Sequence, residues 1–363
     1  MISGTKNGSF QALLVLLTCV LGIVVPTDLA ALAAGLVTAE RRVTVMGTSL
    51  HVAVSGRDRE AALAASESAI AEVRRVENLL TTWRDDSPLA RLNASPAGIA
   101  VPLEREMFTI LSDVFAWSAT TRRAFDPTVL PLVRAWDLRG EARIPSPEEL
   151  ATALAASGAD RFRFDSTRTT ATRLDPSAGI DDGAWGKGYA LDCAAGRLEL
   201  AGEKSALLDL GGQVLARGKN ADGKDWTIAI AHPRDRRRPV VVLSVPNLSA
   251  STSGNSERRR EVSGRRIGHL LDPRTGAPAC DFGSVTVLAP SALVADVLST
   301  SFFVLGPKDG LALSAKLRRE GTTNEVLFLV DNGDGLLAIA SPGIPPLVMS
   351  TDPTVVGLTT QHP

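Results

Sequence analysis

Residues Ile180 to Asp192 read I-D-D-G-A-W-G-K-G-Y-A-L-D, with two adjacent acids, three glycines and one lysine. A phosphate-cradling P-loop needs G-x-x-x-x-G-K followed by Ser or Thr, whose hydroxyl holds magnesium. Here Gly183 and Gly186 stand too close together and Lys187 is followed by Gly188. The P-loop reading fails, and no other segment supplies the regular βαβ rhythm of a doubly wound sheet. What survives is a glycine-rich turn entering a helix. Such a turn points backbone N–H groups at an anion, and Lys187 adds full positive charge. Asp181 and Asp182 oppose a bare phosphate unless a cation or a ligand donor faces them. A ligand carrying both a phosphate and N–H or O–H donors fits; so does a plain helix start capped by Asp.

Outward from this stretch, strands and helices are interspersed. Arg41–Val54 alternates apolar and polar residues and bends at Met46-Gly47-Thr48, which predicts two strand segments. Helical spacing covers Asp58–Leu80 and Glu104–Thr120, and a short helix is expected over Pro147–Ser157. Arg161–Leu174 reads as a hairpin, and Tyr189–Leu200 continues the quoted motif as a helix. Ala206–Leu215 reads as a buried strand with a glycine turn. Further strands are expected at Trp226–Ile230, Val240–Val245 and Ser284–Leu288, a helix at Leu293–Leu305, and a closing hairpin at Val326–Val330 and Leu336–Ala340. The pattern predicts one mixed α+β domain over residues 40–346, with a loose tail over 347–363.

The 363 residues are 44% apolar and 22% charged, which suits a packed globular core. Aromatics at 4% and a net charge of −1 argue against a nucleic-acid partner. The basic runs Arg234–Arg238 and Arg258–Arg266 lack interleaved aromatics and read as solvated loops. Residues 1–39 differ: Lys6 precedes the apolar run Ala12–Val25, and alanines follow. This describes an export signal, cleaved near Ala33 or Ala39, or a retained N-terminal anchor. Cys19 follows Thr18 inside the apolar run, which speaks against lipidation. Cys193 and Cys280 are too few for a disulfide framework; they read as two buried thiols, with one disulfide in an oxidising compartment as the alternative.

Three other segments could carry chemistry. In A-D-V-L-S-T, Asp296 and Thr300 share one helix face, and a carboxylate with a hydroxyl suits a hard cation such as magnesium. Ser299 offers another oxygen, although a polar stripe on a helix is often no more than that. In G-H-L-L-D-P-R-T-G, His269 is a candidate general base or a satisfied structural histidine. Ser251–Arg258 reads as a hydroxyl-rich loop, either a phosphate contact or a surface turn.

Taken in order, M-G-T-S-L, W-R-D-D-S-P-L-A-R-L-N, A-F-D-P-T-V-L-P-L-V, D-D-G-A-W-G-K-G-Y-A-L-D, L-L-D-L-G-G, T-S-G-N, H-L-L-D-P-R-T-G and A-D-V-L-S-T form a specific series from Val43 to Gly306. The series resembles the FAD:protein FMN transferase (ApbE-like) family. The resemblance implies a single catalytic domain of the T-fold-related type and an exported, magnesium-dependent enzyme, periplasmic or attached to the inner membrane. It further implies transfer of FMN from FAD to a threonine of an acceptor protein, with AMP released. The acceptor implied is a flavoprotein subunit of a membrane redox complex or a related exported flavoprotein. Hydrolysis of FAD by the same site, or FAD binding without catalysis, are the alternatives. By motif, Met46, Trp83, Ala124, Phe125, Asp126, Asp181, Lys187 and Leu271 correspond to FAD contacts, and His269 to the base. The Ala184 carbonyl, Asp296 and Thr300 correspond to the magnesium ligands. The chain departs from the family's pattern at Ser299, where an acid is common, and at Ser256, where an aromatic is usual.

Overall fold

The computed structural model describes residues 36–255, 260–262 and 264–360. The leader up to residue 35 with Cys19, and Ser256, lie outside them. Two strands open the domain, β1 (Val37–Val45) and β2 (Thr48–Gly56), joined at the expected Met46-Gly47 turn, where φ is 50° and 68°. The helix α1 (Arg59–Leu80) follows. Asp58 caps it by accepting the Glu60 N–H at 2.9 Å, and Ala62, Ala65, Ala69, Val73, Val76 and Leu80 form its buried stripe. Next come α2 (Pro88–Ala94), β3 (Ala100–Pro102), α3 (Arg105–Thr120), α4 (Leu130–Ala135), α5 (Pro147–Ala155) and the hairpin β4 (Phe162–Asp165) and β5 (Thr170–Arg173). The quoted stretch runs into α6 (Gly186–Leu200). Strands β6 (Ala206–Leu210), β7 (Gln213–Arg217), β8 (Thr227–His232), β9 (Asp235–Ser244), β10 (Ser249–Gly254), β11 (Arg260–Val262), β12 (Arg265–Ile267) and β13 (Gly283–Ala289) precede α7 (Ala292–Arg319). The chain closes with β14 (Glu325–Asp331), β15 (Leu336–Ala340), β16 (Val348–Thr351) and β17 (Val355–Thr360).

Nine strands form one sheet in the order β1-β2-β6-β7-β10-β13-β14-β15-β17, antiparallel except for the β15–β17 pair. This is the mixed α+β architecture that the spacing predicts. In its middle the sheet is covered on both faces, and β14 shows why its sequence is apolar throughout. Val326 and Phe328 pack towards α7, while Leu327 and Leu329 pack towards the three-stranded sheet β16-β9-β8 on the other side. Each such buried side chain contributes about 1.5–3 kcal/mol. Under β1, β2 and β6 the core is filled by α1 and α6, with Leu50, Val52 and Val54 meeting Val73, Val76 and Leu191. Among the described residues, no helix is long and apolar enough to cross a membrane.

Several expectations need correction. The tail is not loose: β16 pairs with β9 and β17 with β15. Asp352 accepts the Thr354 N–H at 2.9 Å and Arg238 at 2.8 Å, pinning the turn between these strands. The run Arg234–Arg238 is no free loop either. Its last residues lie in β9, and Arg234 pairs with Asp281 and Asp331 at 2.8 and 2.9 Å. Ser251–Gly254 is interior strand rather than loop, because Ser251 and Ser253 face the buried side of α7. The expected stop at Leu305 is a break at Gly306, where φ is 75°; a second helical segment continues from there to Arg319. Cys193 is half-buried and Cys280 exposed, and both are free thiols.

Candidate functional site

The two helices that carry the candidate residues cross at Gly188. A Cβ built there would lie 2.4 Å from the Ala292 carbonyl oxygen and 2.7 Å from Leu293 Cα, so only glycine lets α6 and α7 touch. Asp192, one turn further along α6, accepts the Ala292 and Leu293 N–H groups at 2.7 and 3.0 Å and the Ser291 hydroxyl at 2.6 Å. One carboxylate thus caps the start of α7 and fixes Asp296 in front of α6. Gly188→Ala is expected to cost about 2–3 kcal/mol by overpacking backbone against backbone. Urea denaturation followed by circular dichroism measures this, and a loss below about 0.5 kcal/mol contradicts the close approach.

At this crossing the Asp296 side chain is 5% exposed. Its Oδ2 accepts the Gly188 N–H at 3.0 Å. Its Oδ1 has only longer contacts, 3.5 Å to Lys187 Nζ and 3.4 Å to Ser251 Oγ. Ser299 donates back to the Asp296 carbonyl at 3.0 Å and shares hydroxyl bonds with Ser251 and Ser253 at 3.1 and 3.0 Å. That network occupies the Ser299 hydroxyl, leaving Thr300, a partly exposed residue one turn from Asp296, to supply a further hydroxyl. Ala184 sits in the turn just before α6. An under-coordinated buried carboxylate, a hydroxyl and a backbone carbonyl are hard oxygen donors, and that chemistry fits magnesium. Among the described residues there is no cluster of three or more His, Cys, Asp or Glu for a softer metal.

The acids of the opening motif are less negative than they read. Arg139 donates to Asp181 at 2.5 Å and to the Thr82 hydroxyl and carbonyl at 2.6 and 3.0 Å. Its guanidinium carbon also lies 5.0 Å from the centroid of the Trp83 ring, a side chain 69% exposed. Burial, and then the adjacent Asp181 charge, push the Asp182 carboxyl up to about 7. One of the two acids is therefore ion-paired, and burial holds the other below full charge near neutral pH, which lessens the conflict with a phosphate.

Some of the remaining candidates are tied directly to this loop, and the others are held by contacts of their own. The Asp181 N–H donates to the Pro127 carbonyl at 2.8 Å, beside the Ala124-Phe125-Asp126 segment. Those three side chains point inward, at most 3% exposed. Asp126 is engaged by the Thr128 hydroxyl at 2.5 Å and by Arg123 at 3.1 Å, so this segment can offer a ligand its backbone. The Met46 N–H donates to Glu77 at 2.7 Å. Asn93 clamps Ile180 through both its N–H and its carbonyl, each at 2.8 Å. Leu271 is buried and bridges to Pro278, and Trp136 donates its indole N–H to Gly276 at 2.8 Å, docking this turn on α4. His269 is partly exposed and follows Gly268, whose added Cβ would meet the Asn255 side chain at 2.5 Å. The histidine is thereby held beside the end of β10, the strand whose serines reach α7. A cleft of 590 Å³ beside α4 and α5 contains none of these residues.

A half-exposed ionic network, with only Glu72 buried, ties α6 to α1 and α3. Arg75 of α1 bridges Glu72 at 2.8 Å and Glu106 of α3 at 2.6 Å, and Glu106 accepts the Tyr189 hydroxyl at 2.6 Å. The Arg75 hydrogen bonds keep the Glu106 carboxyl below its usual range. Burial pushes the Cys193 thiol up to about 11, so it is no nucleophile at neutral pH.

Sequence reading alone missed Arg139, Gln213, Asn93 and Asp192, and it took Ser251 and Ser253 for loop residues rather than partners of α7. Asn93 closes a quoted motif and Gln213 follows another, but their partners lie 87 and 26 residues away or more. No local spacing signals such pairs.

Fold and site together define a class: a mixed α/β domain with a basic, oxygen-rich site at a glycine-paved helix crossing. The ApbE family model matches residues 46–323, and the chain belongs to the ApbE family. A protein of Klebsiella pneumoniae (strain 342) named FAD:protein FMN transferase is 33% identical over 304 residues, 82% of this chain and 85% of the relative. The FAD:protein FMN transferase of Escherichia coli (strain K12) is 32% identical over 304 residues, with the same shares. Among solved structures, the flavin transferase ApbE from Vibrio cholerae superposes with a TM-score of 0.76 at 27% identity, covering 86% of this chain and 99% of that one. The apo flavinyl transferase ApbE of Pseudomonas stutzeri gives 0.74 at 29%, covering 87% and 98%.

Proposed function

We propose that this chain is a magnesium-dependent FAD:protein FMN transferase acting outside the cytoplasm. The relatives and solved neighbours bear flavin-transferase names, and the observation that carries the reading is the placement of Lys187 and Asp296 together at the α6–α7 crossing. Trp83, Arg139 and the Met46 turn offer a stacking face and backbone donors for FAD. Asp181 is fixed by Arg139 and can accept a donor from it. Lys187 neutralises the pyrophosphate oxygens. The threonine hydroxyl of the acceptor attacks the FMN-side phosphorus and passes its proton to His269. The new O–P bond forms as the bond to the bridging oxygen breaks, and that oxygen leaves with its electron pair on AMP. Asp296, Thr300 and the Ala184 carbonyl would hold magnesium, which supplies charge neutralisation at the phosphoryl group.

The acceptor class is an exported flavoprotein or a subunit of a membrane redox complex. Of the two export cleavage positions, Ala33 is the one that leaves β1 intact, since Ala39 lies inside that strand, 1% exposed and paired with Val54. The test is incubation of the purified chain with FAD, Mg2+ and a flavoprotein domain that carries the acceptor threonine. Expected are a fluorescent acceptor band on a denaturing gel and stoichiometric AMP. FMN and AMP without a labelled acceptor reassign the chain as a pyrophosphatase. Bound but intact FAD makes it a binding protein.

A further inference from the structure

Gln213 begins β7 immediately after the Gly211-Gly212 turn, and it is 2% exposed. Its Nε2 donates to the Ala292 carbonyl at 2.8 Å, which turns its Oε1 towards Lys187 Nζ at 3.4 Å. The same ammonium lies 3.5 Å from Asp296 Oδ1. The carboxylate oxygen best placed to bind a cation is therefore beside a side-chain cation held from behind by a neutral amide. A dication and an ammonium at one buried carboxylate oxygen repel strongly, and a single carboxylate balances only one of them well.

We propose that Gln213 is a positioning residue that parks Lys187 against Asp296, and that a divalent cation and the Lys187 ammonium take turns at that carboxylate. Arrival of the cation displaces Lys187 towards the Asp181–Gly186 loop, where the substrate phosphates are to be met. Metal binding thus readies the lysine as well as the metal. This inference rests on the magnesium reading above, and the experiment separates the two.

The full chain, without flavin, is titrated with MgCl2 in a calorimeter as wild type, Lys187→Met, Gln213→Met and Asp296→Asn. Lys187→Met is expected to bind Mg2+ about tenfold more tightly, having lost the competing ion pair, and Gln213→Met about threefold more tightly. Asp296→Asn is expected to give no binding heat. In chelator, Lys187→Met should melt below the wild type, and it should gain more from added Mg2+ than the wild type does. Affinity in Lys187→Met equal to or below that of the wild type overturns the exchange. A purely structural role for Gln213 predicts weaker binding in Gln213→Met, and that result overturns its assignment. Should Lys187→Met fail to fold even with Mg2+, the direction of change in Gln213→Met decides. No Mg2+ heat in wild type or in Lys187→Met defeats the magnesium reading itself, and the exchange with it.

Discussion

Asp296→Asn is expected to reduce flavin transfer by about 10³-fold or more while leaving the fold in place, because it removes charge without changing shape. The amide can still accept the Gly188 N–H that the carboxylate now takes at 3.0 Å. The helix crossing therefore keeps its geometry, and the melting temperature should stay within a few degrees of wild type. What disappears is the buried negative charge beside Lys187 at the start of α7, and with it the site for a hard cation. The measurement pairs transfer rates at saturating Mg2+ with a thermal melt. Activity within tenfold of wild type would mean that this carboxylate is not central to the chemistry.

His269→Ala is expected to leave FAD affinity within about threefold of wild type and to lower transfer by about 10²–10⁴-fold, the usual worth of a positioned general base. The reason for the split lies in the placement of the residue. His269 is held beside the end of β10, whereas Arg139, Trp83 and Asp181 build the face that would grip the flavin nucleotide. Quenching of flavin fluorescence reports binding, and acceptor labelling reports transfer. Added imidazole should restore part of the lost rate, since the truncated side chain leaves room for it. Transfer at the normal rate in this variant would remove the base assignment.

Much of the architecture follows from periodicity. The alternation of Arg41–Val54 around Met46-Gly47 gives β1 and β2, and the alanine-rich stripe of Asp58–Leu80 gives α1 with its Asp58 cap. These elements were legible because neighbours in sequence are also neighbours on one face. The tail was not. Val348–Thr351 and Val355–Thr360 are short and mixed in polarity, and they become strands only because β9 and β15 present edges to pair with. Ser251-Thr252-Ser253 looked like a loop for a related reason. Hydroxyls predict exposure unless buried partners satisfy them, and here Ser299 and Asp296 do so from 45 or more residues away.

The site divides in the same way. The sequence by itself determined the residue types: a glycine-rich turn with Lys187, a carboxylate and hydroxyl spaced i and i+4 at Asp296 and Thr300, and a histidine before a turn. Those follow from local chemistry and helical spacing. Only the tertiary structure decided that Lys187 and Asp296, 109 residues apart, stand 3.5 Å from each other, that Arg139 neutralises Asp181, and that Gln213 backs the lysine. The physical reason is the crossing at Gly188. Helices approach this closely only where a side chain is missing, and which partner fills the space is a property of packing, written in no single stretch of sequence.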